Sequence, residues 1–329
     1  MENIHQRATQ TLFDKQLITE EQHEQIVSYR SLNIFSLNAE LKIFLYLSVL
    51  LFTSGIGILI YQNIDTIGHS IIISLISIVT VVCYYFSFKR APAFNKSQTY
   101  FESPVMEYIV LTANLLTCIL IGYLQIQFNT FGTHYGLATI IPTTIGLFSG
   151  YYFDNKNVLS IAITGLAAYI GLTVSPQSLL QNEIYNTDSL SYAAIGLGVV
   201  LILWNYYSSI IKLKTHFALI FLTFALHLIS ISCINNIIDS DYYLVFSVIL
   251  GLSTYFFYIS SYKIRSISLF IFAVLYGFIG LNITLFKIID YMNLTDIFEF
   301  ILVLSPFYFI GAIILFIMMI KKFNSEIKK

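Results

Sequence analysis

Ten stretches of the chain consist almost entirely of apolar residues, with short polar segments between them. A helix needs about 20 such residues to cross about 30 Å of hydrocarbon. The ten stretches approach that length and predict membrane spans at approximately residues 43–61, 68–88, 106–126, 136–153, 157–174, 190–211, 215–236, 242–261, 266–286 and 299–320. The pattern therefore predicts an all-α fold, a polytopic transmembrane helical bundle with about ten spans.

The fourth and fifth stretches are the shortest, and only Asp154-Asn155-Lys156 separates them. Two interpretations of residues 136–174 stay open: a tight hairpin of two full spans, or a partly re-entrant element.

Composition supports the membrane class. Of 329 residues, 57% are hydrophobic and 11% are charged, whereas soluble domains carry about 25% charged residues. Cys83, Cys118 and Cys233 all lie inside apolar stretches, without the spacing of a disulfide framework or a metal site. The formal net charge of −1 argues against nucleic acid as a partner. Membrane lipids are the partners that the composition predicts.

The basic residues orient the spans. With ten spans, 16 of the 17 Lys and Arg residues lie on one side of the membrane, and only Lys287 lies on the other side with most of the loop acids. Because positive residues are retained in the cytoplasm, we expect both termini to be cytoplasmic.

Three parts of the chain differ in polarity. Residues 1–40 contain no apolar core of a signal peptide and predict a cytoplasmic hairpin of two helices, 3–16 and 20–31. Thr19 and Gln22 have the spacing of a capping box. Residues 41–322 form the transmembrane domain and residues 323–329 a basic cytoplasmic tail. The hairpin is interpreted either as a docking element for a protein partner or as a solvated cap that sets topology.

Polar residues inside the spans are the candidates for a functional site. His227 is the only ionisable residue near the middle of a span, and a neutral histidine bonded to a neighbouring helix is the favoured interpretation over a proton relay. The full candidate set is Asn114, Thr143, Thr144, Asn205, His227 and Asn282. These side chains could line a cavity or could hydrogen-bond between helices. The pattern Gly146-x-x-x-Gly150 indicates close helix packing.

The sequence lacks the short motifs that mark common classes of enzyme. The sequence has no zinc-protease motif, no nucleophile elbow and no phosphate-binding loop. No catalytic, metal-binding or cofactor-binding residue is predicted, and no cofactor is expected. The sequence favours a protein that is not an enzyme.

Several segments of the first half resemble a known family. They are Leu17-Ile18-Thr19-Glu20-Glu21-Gln22, Gly55-Ile56-Gly57, Tyr61-Gln62-Asn63-Ile64-Asp65 and Gly122-Tyr123-Leu124-Gln125-Ile126-Gln127. Together they resemble the start of a bacterial family of predicted membrane proteins, domain of unknown function 2157, in which a Trp stands where this chain has Ile64. The resemblance implies an inner-membrane protein of unassigned activity.

Three functions remain as hypotheses. The first is a non-catalytic membrane scaffold or partner protein that uses residues 1–40 as a contact surface. The alternative is a transporter of a neutral or lipid-like substrate, with the candidate polar residues along its path. An intramembrane enzyme that modifies a lipid is the third.

Overall fold

The computed structural model describes residues 13, 18–31, 38–132, 134–174, 188–292 and 296–327. Within these residues it contains eleven α-helices, one 3₁₀ turn and no strand. The helices are α1 (Glu20–Ser31), α2 (Asn38–Ile67), α3 (His69–Arg90), α4 (Pro104–Phe128), α5 (Tyr135–Tyr152), α6 (Lys156–Val174), α7 (Asp188–Ile210), α8 (Ala218–Asp239), α9 (Tyr243–Ile264), α10 (Ile267–Tyr291) and α11 (Asp296–Ile327). The 3₁₀ turn, Thr215–Phe217, leads into α8. The predicted all-α fold is confirmed.

Eight helices are long and apolar enough to cross a membrane. Their spanning segments are His69–Arg90, Pro104–Phe128, Lys156–Val174, Ser189–Ile210, Thr215–Asp239, Tyr243–Ile264, Ile267–Tyr291 and Val303–Ile327. The other two predicted spans are also helical. The first lies in α2, whose described apolar part is Ile43–Leu59, and the fourth is the 18-residue α5. The structure is thus roughly consistent with about ten spans.

Helices α5 and α6 form a tight helical hairpin. They contain 18 and 19 residues, which corresponds to lengths of about 27–29 Å. A Cβ atom added to Gly150 would lie 3.1 Å from the Leu159 backbone, so the two helices touch next to their connection. Gly146 makes a similar approach to Ala162, at 3.1 Å. The predicted packing role of this glycine pair is confirmed.

The chain divides into two compact units, residues 1–52 and residues 53–329. In the first unit, the predicted capping box is present at the start of α1. The Thr19 amide donates to Gln22 Oε1 at 3.0 Å, and the Gln22 amide donates to Thr19 Oγ1 at 3.3 Å. The predicted helix 3–16 lies outside the described residues.

Helix α8 lies at the centre of the second unit. It packs against α6, α7, α9 and α10, and its buried residues include Leu222, Ala225, Leu226 and Cys233. Close approach of α7 is possible because a Cβ atom on Gly198 would come within 2.5 Å of the Ile229 side chain. The segment that precedes α8 therefore leads into the best-packed helix of the unit.

Three connections meet at one end of the second unit: residues 91–103, 153–155 and 211–214. The Lys214 amide donates to the Lys96 carbonyl at 2.7 Å, and the Lys214 ammonium reaches Asp154. We call this region the basic end. The sequence placed the same three connections on the side of the membrane that carries the basic residues, and their contact agrees with that alternation.

Candidate functional site

Two of the predicted polar residues lie at the junction of α4, α5 and α6. Asn114 is 1% exposed, and its amide oxygen lies 2.8 Å from the position of a Cβ atom on Gly146. Thr143 lies one turn away on α5, faces Gly165 and donates a hydrogen bond to the Thr139 carbonyl at 2.7 Å. Both side chains therefore contribute to close packing of the three helices.

The other four candidates are placed differently. His227 Nδ1 lies 2.8 Å from the Tyr276 hydroxyl on α10, so this histidine is bonded to a neighbouring helix, as favoured from the sequence. Asn282 donates to the Phe278 carbonyl of its own helix at 2.7 Å. Thr144 is exposed and bonds within its own helix, to the Ile140 carbonyl at 2.8 Å, and Asn205 is half-buried on α7. No contact among the described residues brings the six together at one cavity.

The strongest concentration of buried charge lies at the basic end. The Lys214 ammonium and Asp154 Oδ2 are 2.7 Å apart, and the two side chains are 0% and 1% exposed. His216 Nε2 makes a short contact with Asp154 Oδ1. We call Asp154, Lys214 and His216 the charge cluster. It joins the α5–α6 connection to the segment that enters α8.

The third connection supplies the remaining polar partners of the cluster. The Thr99 amide donates to Asp154 Oδ2 at 2.6 Å. The Lys214 ammonium also donates to the Ser97 carbonyl at 3.1 Å and to Thr99 Oγ1 at 3.3 Å. An ammonium has three donors, so the hydrogen-bonding capacity of Lys214 is filled. The charge cluster thus fastens three separate connections to one another.

The local backbone depends on these contacts. Asp154 and Lys214 have φ angles of 57° and 47°, in the left-handed region that non-glycine residues adopt at a cost. Asn155 follows and caps α6, because its Oδ1 accepts from the Val158 amide at 3.1 Å. Its Nδ2 donates to the Glu107 carbonyl on α4 at 2.7 Å. The tight turn is therefore held on both sides by side-chain bonds.

The electrostatics favour an ionised Asp154. Burial raises the pKa of the Asp154 carboxyl, whereas hydrogen bonds from Lys214, Thr99 and His216 lower it, and the pKa lies below its ordinary value. A buried ion pair is stable only where such additional bonds satisfy both partners. Because Lys214 is fully buried and its donors are occupied, it is unsuited to act as a nucleophile or base. The chemistry of the cluster is that of a structural clamp.

Residues 10–159 match the family model described as a predicted membrane protein (DUF2157). The resemblance inferred from the first half of the sequence is confirmed, and the chain is a membrane protein with multiple apolar helices. Neither the curated proteins nor the solved structures gave a match. The matched region contains Thr99 and Asp154, whereas Lys214 and His216 lie beyond its end.

Sequence reasoning missed the charge cluster. Lys214 and His216 lie at the end of a predicted span, where a charged side chain is expected to reach water. The available signal was Asp154, a single acid in a connection of three residues between two spans. That signal alone does not identify the partners, because Thr99 and Lys214 are 55 and 60 residues away.

Among the described residues no group of three or more His, Cys, Asp and Glu side chains could hold a metal ion. Cavities do occur near the basic end. One, of about 710 Å³, is lined by apolar and aromatic residues of α5, α6, α7 and the neighbouring connections. Another, of about 430 Å³, includes Lys89, Arg90 and Glu102. The six predicted polar residues line neither of them.

Proposed function

We propose that this chain is a non-catalytic scaffold or partner protein of the bacterial inner membrane, with both termini in the cytoplasm. The observation that supports it is the clamp at the basic end. A buried Lys214–Asp154 pair that fastens three connections gives a fixed surface, and a fixed surface suits the display of contacts to a partner. Alternating access in a carrier needs one group of helices to move against another.

The orientation is supported by the side on which charge is exposed. Lys96 and Lys212 are exposed on two connections of the basic end, and Lys156 is exposed at the start of α6. Basic residues next to spans are retained in the cytoplasm. On this proposal the N-terminal unit, with its capped helix α1, is presented to cytoplasmic proteins.

The test is native mass spectrometry of the full chain and of a variant lacking residues 1–31, each extracted gently from its own membrane. A scaffold should carry a second polypeptide in fixed stoichiometry, and the deletion should remove it. The control is a chain that ends at Asn324, which shortens the other terminus and keeps the buried Phe323. A full chain that carries no second polypeptide would contradict the proposal.

One observation favours a transporter of a neutral or lipid-like substrate as the second candidate. The Asn114 amide is buried on α4, and neither its oxygen nor its nitrogen has a hydrogen-bond partner among the described residues. A buried amide without a partner costs about 1–3 kcal/mol, and a polar substrate group would offset that cost. Replacing Asn114 with Leu should abolish uptake by a carrier, whereas it should leave a scaffold's partner bound.

A further inference from the structure

The 710 Å³ cavity is an open groove next to the basic end. Its lining includes Phe148 and Tyr151 of α5, Val200 and Trp204 of α7, and Phe94 and Leu213 of two connections. Its volume lies within the range of about 300–1,000 Å³ that ligand sites in proteins occupy. The groove therefore offers apolar space that begins at the connections and continues between the spans.

Two polar groups of the groove wall, on Trp204 and Tyr151, are paired with each other. Trp204 Nε1 donates to the Tyr151 hydroxyl at 2.6 Å, and the Tyr151 and Trp204 rings meet edge to face, with centroids 6.4 Å apart. This pairing leaves the wall apolar inside the groove. Indole and phenol rings also favour the membrane interface, which is the depth at which an acyl chain joins its headgroup.

Two exposed lysines are close sequence neighbours of residues that line the groove. Lys96 follows Phe94 by two residues, and Lys212 directly precedes Leu213, so each lysine is next to a residue of the groove wall. Both lysines are exposed, and neither forms an ion pair within the described part of the chain. The Asp154 charge does not neutralise them, because Lys214 and His216 occupy both of its oxygens.

The charge cluster joins the two connections that carry these lysines. The Lys214 amide bonds to the Lys96 carbonyl, which joins the two connections directly. The Lys214 ammonium holds Ser97 and lies 5.5 Å from the centre of the Phe94 ring. The backbone of the two connections is therefore held together before any ligand binds.

We propose that the groove binds one anionic phospholipid, with the phosphate between Lys96 and Lys212 and one acyl chain against the apolar wall. Cationic pockets between spans at the cytoplasmic surface suit anionic headgroups, and an apolar groove below them suits the chain. This combination of charge and apolar space distinguishes the site from the general lipid-facing surface. The proposal does not depend on the scaffold function.

The experiment measures lipid binding by native mass spectrometry on the delipidated full chain in detergent. Phosphatidylglycerol and phosphatidylcholine with identical acyl chains are titrated separately. We expect one phosphatidylglycerol to bind at least tenfold more tightly than phosphatidylcholine. The double variant Lys96→Gln/Lys212→Gln should weaken phosphatidylglycerol binding about 30-fold, since each lysine near an anionic surface contributes about a factor of five.

Matched variants separate the groove from the rest of the surface. Lys263→Gln/Lys321→Gln removes two exposed charges from other segments and should leave binding unchanged. Val200→Trp should fill the groove and weaken binding of both lipids, whereas Val199→Trp, on the neighbouring exposed residue outside the groove, should not. Equal affinity for the two lipids, or equal effects of the two tryptophan variants, would overturn the proposal. Unchanged thermal transitions of the lysine variants exclude misfolding as the cause of lost binding.

Discussion

Replacing Asp154 with Asn tests whether the charge cluster holds the basic end together. Asparagine has nearly the same size, accepts a hydrogen bond from the Thr99 amide and tolerates the left-handed backbone at this position. The variant therefore removes the negative charge and keeps the geometry. Lys214 is left with its ammonium 0% exposed and without a counter-ion.

The expected cost follows from that burial. Removing one partner of a buried ion pair destabilises a protein by about 3–5 kcal/mol, because the remaining charge is uncompensated. Lys214→Met should cost less, since Asp154 keeps the Thr99 amide at 2.6 Å and His216. The double variant Asp154→Asn/Lys214→Met should recover most of the loss, because replacing a buried pair by groups of similar volume is often nearly neutral.

The chain provides its own probe for unfolding. Cys233 is buried, and Cys83 and Cys118 are half-buried, so a thiol-reactive dye reports the loss of packing during a temperature ramp in detergent. A loss of 1 kcal/mol in the free energy of unfolding lowers the thermal midpoint by about 2 °C. Asp154→Asn should therefore lower the midpoint by about 6–10 °C. Lys263→Met, in the last turn of α9 where the lysine is exposed, serves as the control and should change the midpoint by less than about 1 °C.

The double variant decides the result. A clamp requires that adding Lys214→Met to Asp154→Asn raises the midpoint to within about 3 °C of the unmodified chain. If Asp154→Asn moves the midpoint no more than Lys263→Met does, or if the two substitutions simply add, the cluster does not stabilise the basic end and our reasoning is refuted.

Three further predictions rest on other contacts. Gly165→Ala should destabilise the chain by about 1–3 kcal/mol, because the new Cβ atom would lie 2.2 Å from Thr143 Oγ1. Adding Thr143→Ala should restore the dye-monitored midpoint. The control Gly196→Ala, where the new Cβ atom meets open space, should not lower the midpoint. Gln125→Ala should lower the free energy of unfolding by about 1–3 kcal/mol. The Gln125 side chain accepts from the Phe131 amide and donates to the Gly132 carbonyl, each at 2.9 Å. Its loss should therefore raise the rate of amide hydrogen exchange in the α4–α5 connection. Because the pKa of Asp154 is lowered in the folded chain, its ionised carboxylate contributes stability above about pH 3.9. This stability is lost as pH falls through the folded-state pKa. The difference in thermal midpoint between the unmodified chain and Asp154→Asn should therefore shrink towards zero in acid.

The hydrophobic pattern predicted the helices because the signal for a span is local. A run such as Phe300–Ile320 is apolar over its whole length, and the lipid solvent rather than a distant contact determines that it forms a helix. The capping box of Thr19 and Gln22 was predicted for the same reason, since both partners lie three residues apart. The signal is weaker in helix α5, because Pro142, threonines and glycines lower its hydropathy. It is nevertheless a helix of 18 residues that packs closely on α6.

The candidate polar residues could be found in the sequence, but their grouping could not. His227 and Tyr276 are 49 residues apart, and the register of α8 against α10 decides whether they meet. Asn114 faces α5 rather than lipid because Gly146 leaves room for it. Side-chain partners between spans depend on helix rotation, which hydropathy does not specify.

Lys214 shows that a positive charge counted in the sequence is not always free to bind an anion. The sequence places it with 15 other basic residues on one side, and all contribute equally to the predicted orientation. In the folded chain its ammonium is enclosed, and Asp154 neutralises it. Lys96, whose carbonyl accepts from the Lys214 amide, and Lys212, two residues before Lys214, keep their charge exposed. The buried lysine therefore affects anions only indirectly, by joining the two connections that carry the exposed lysines.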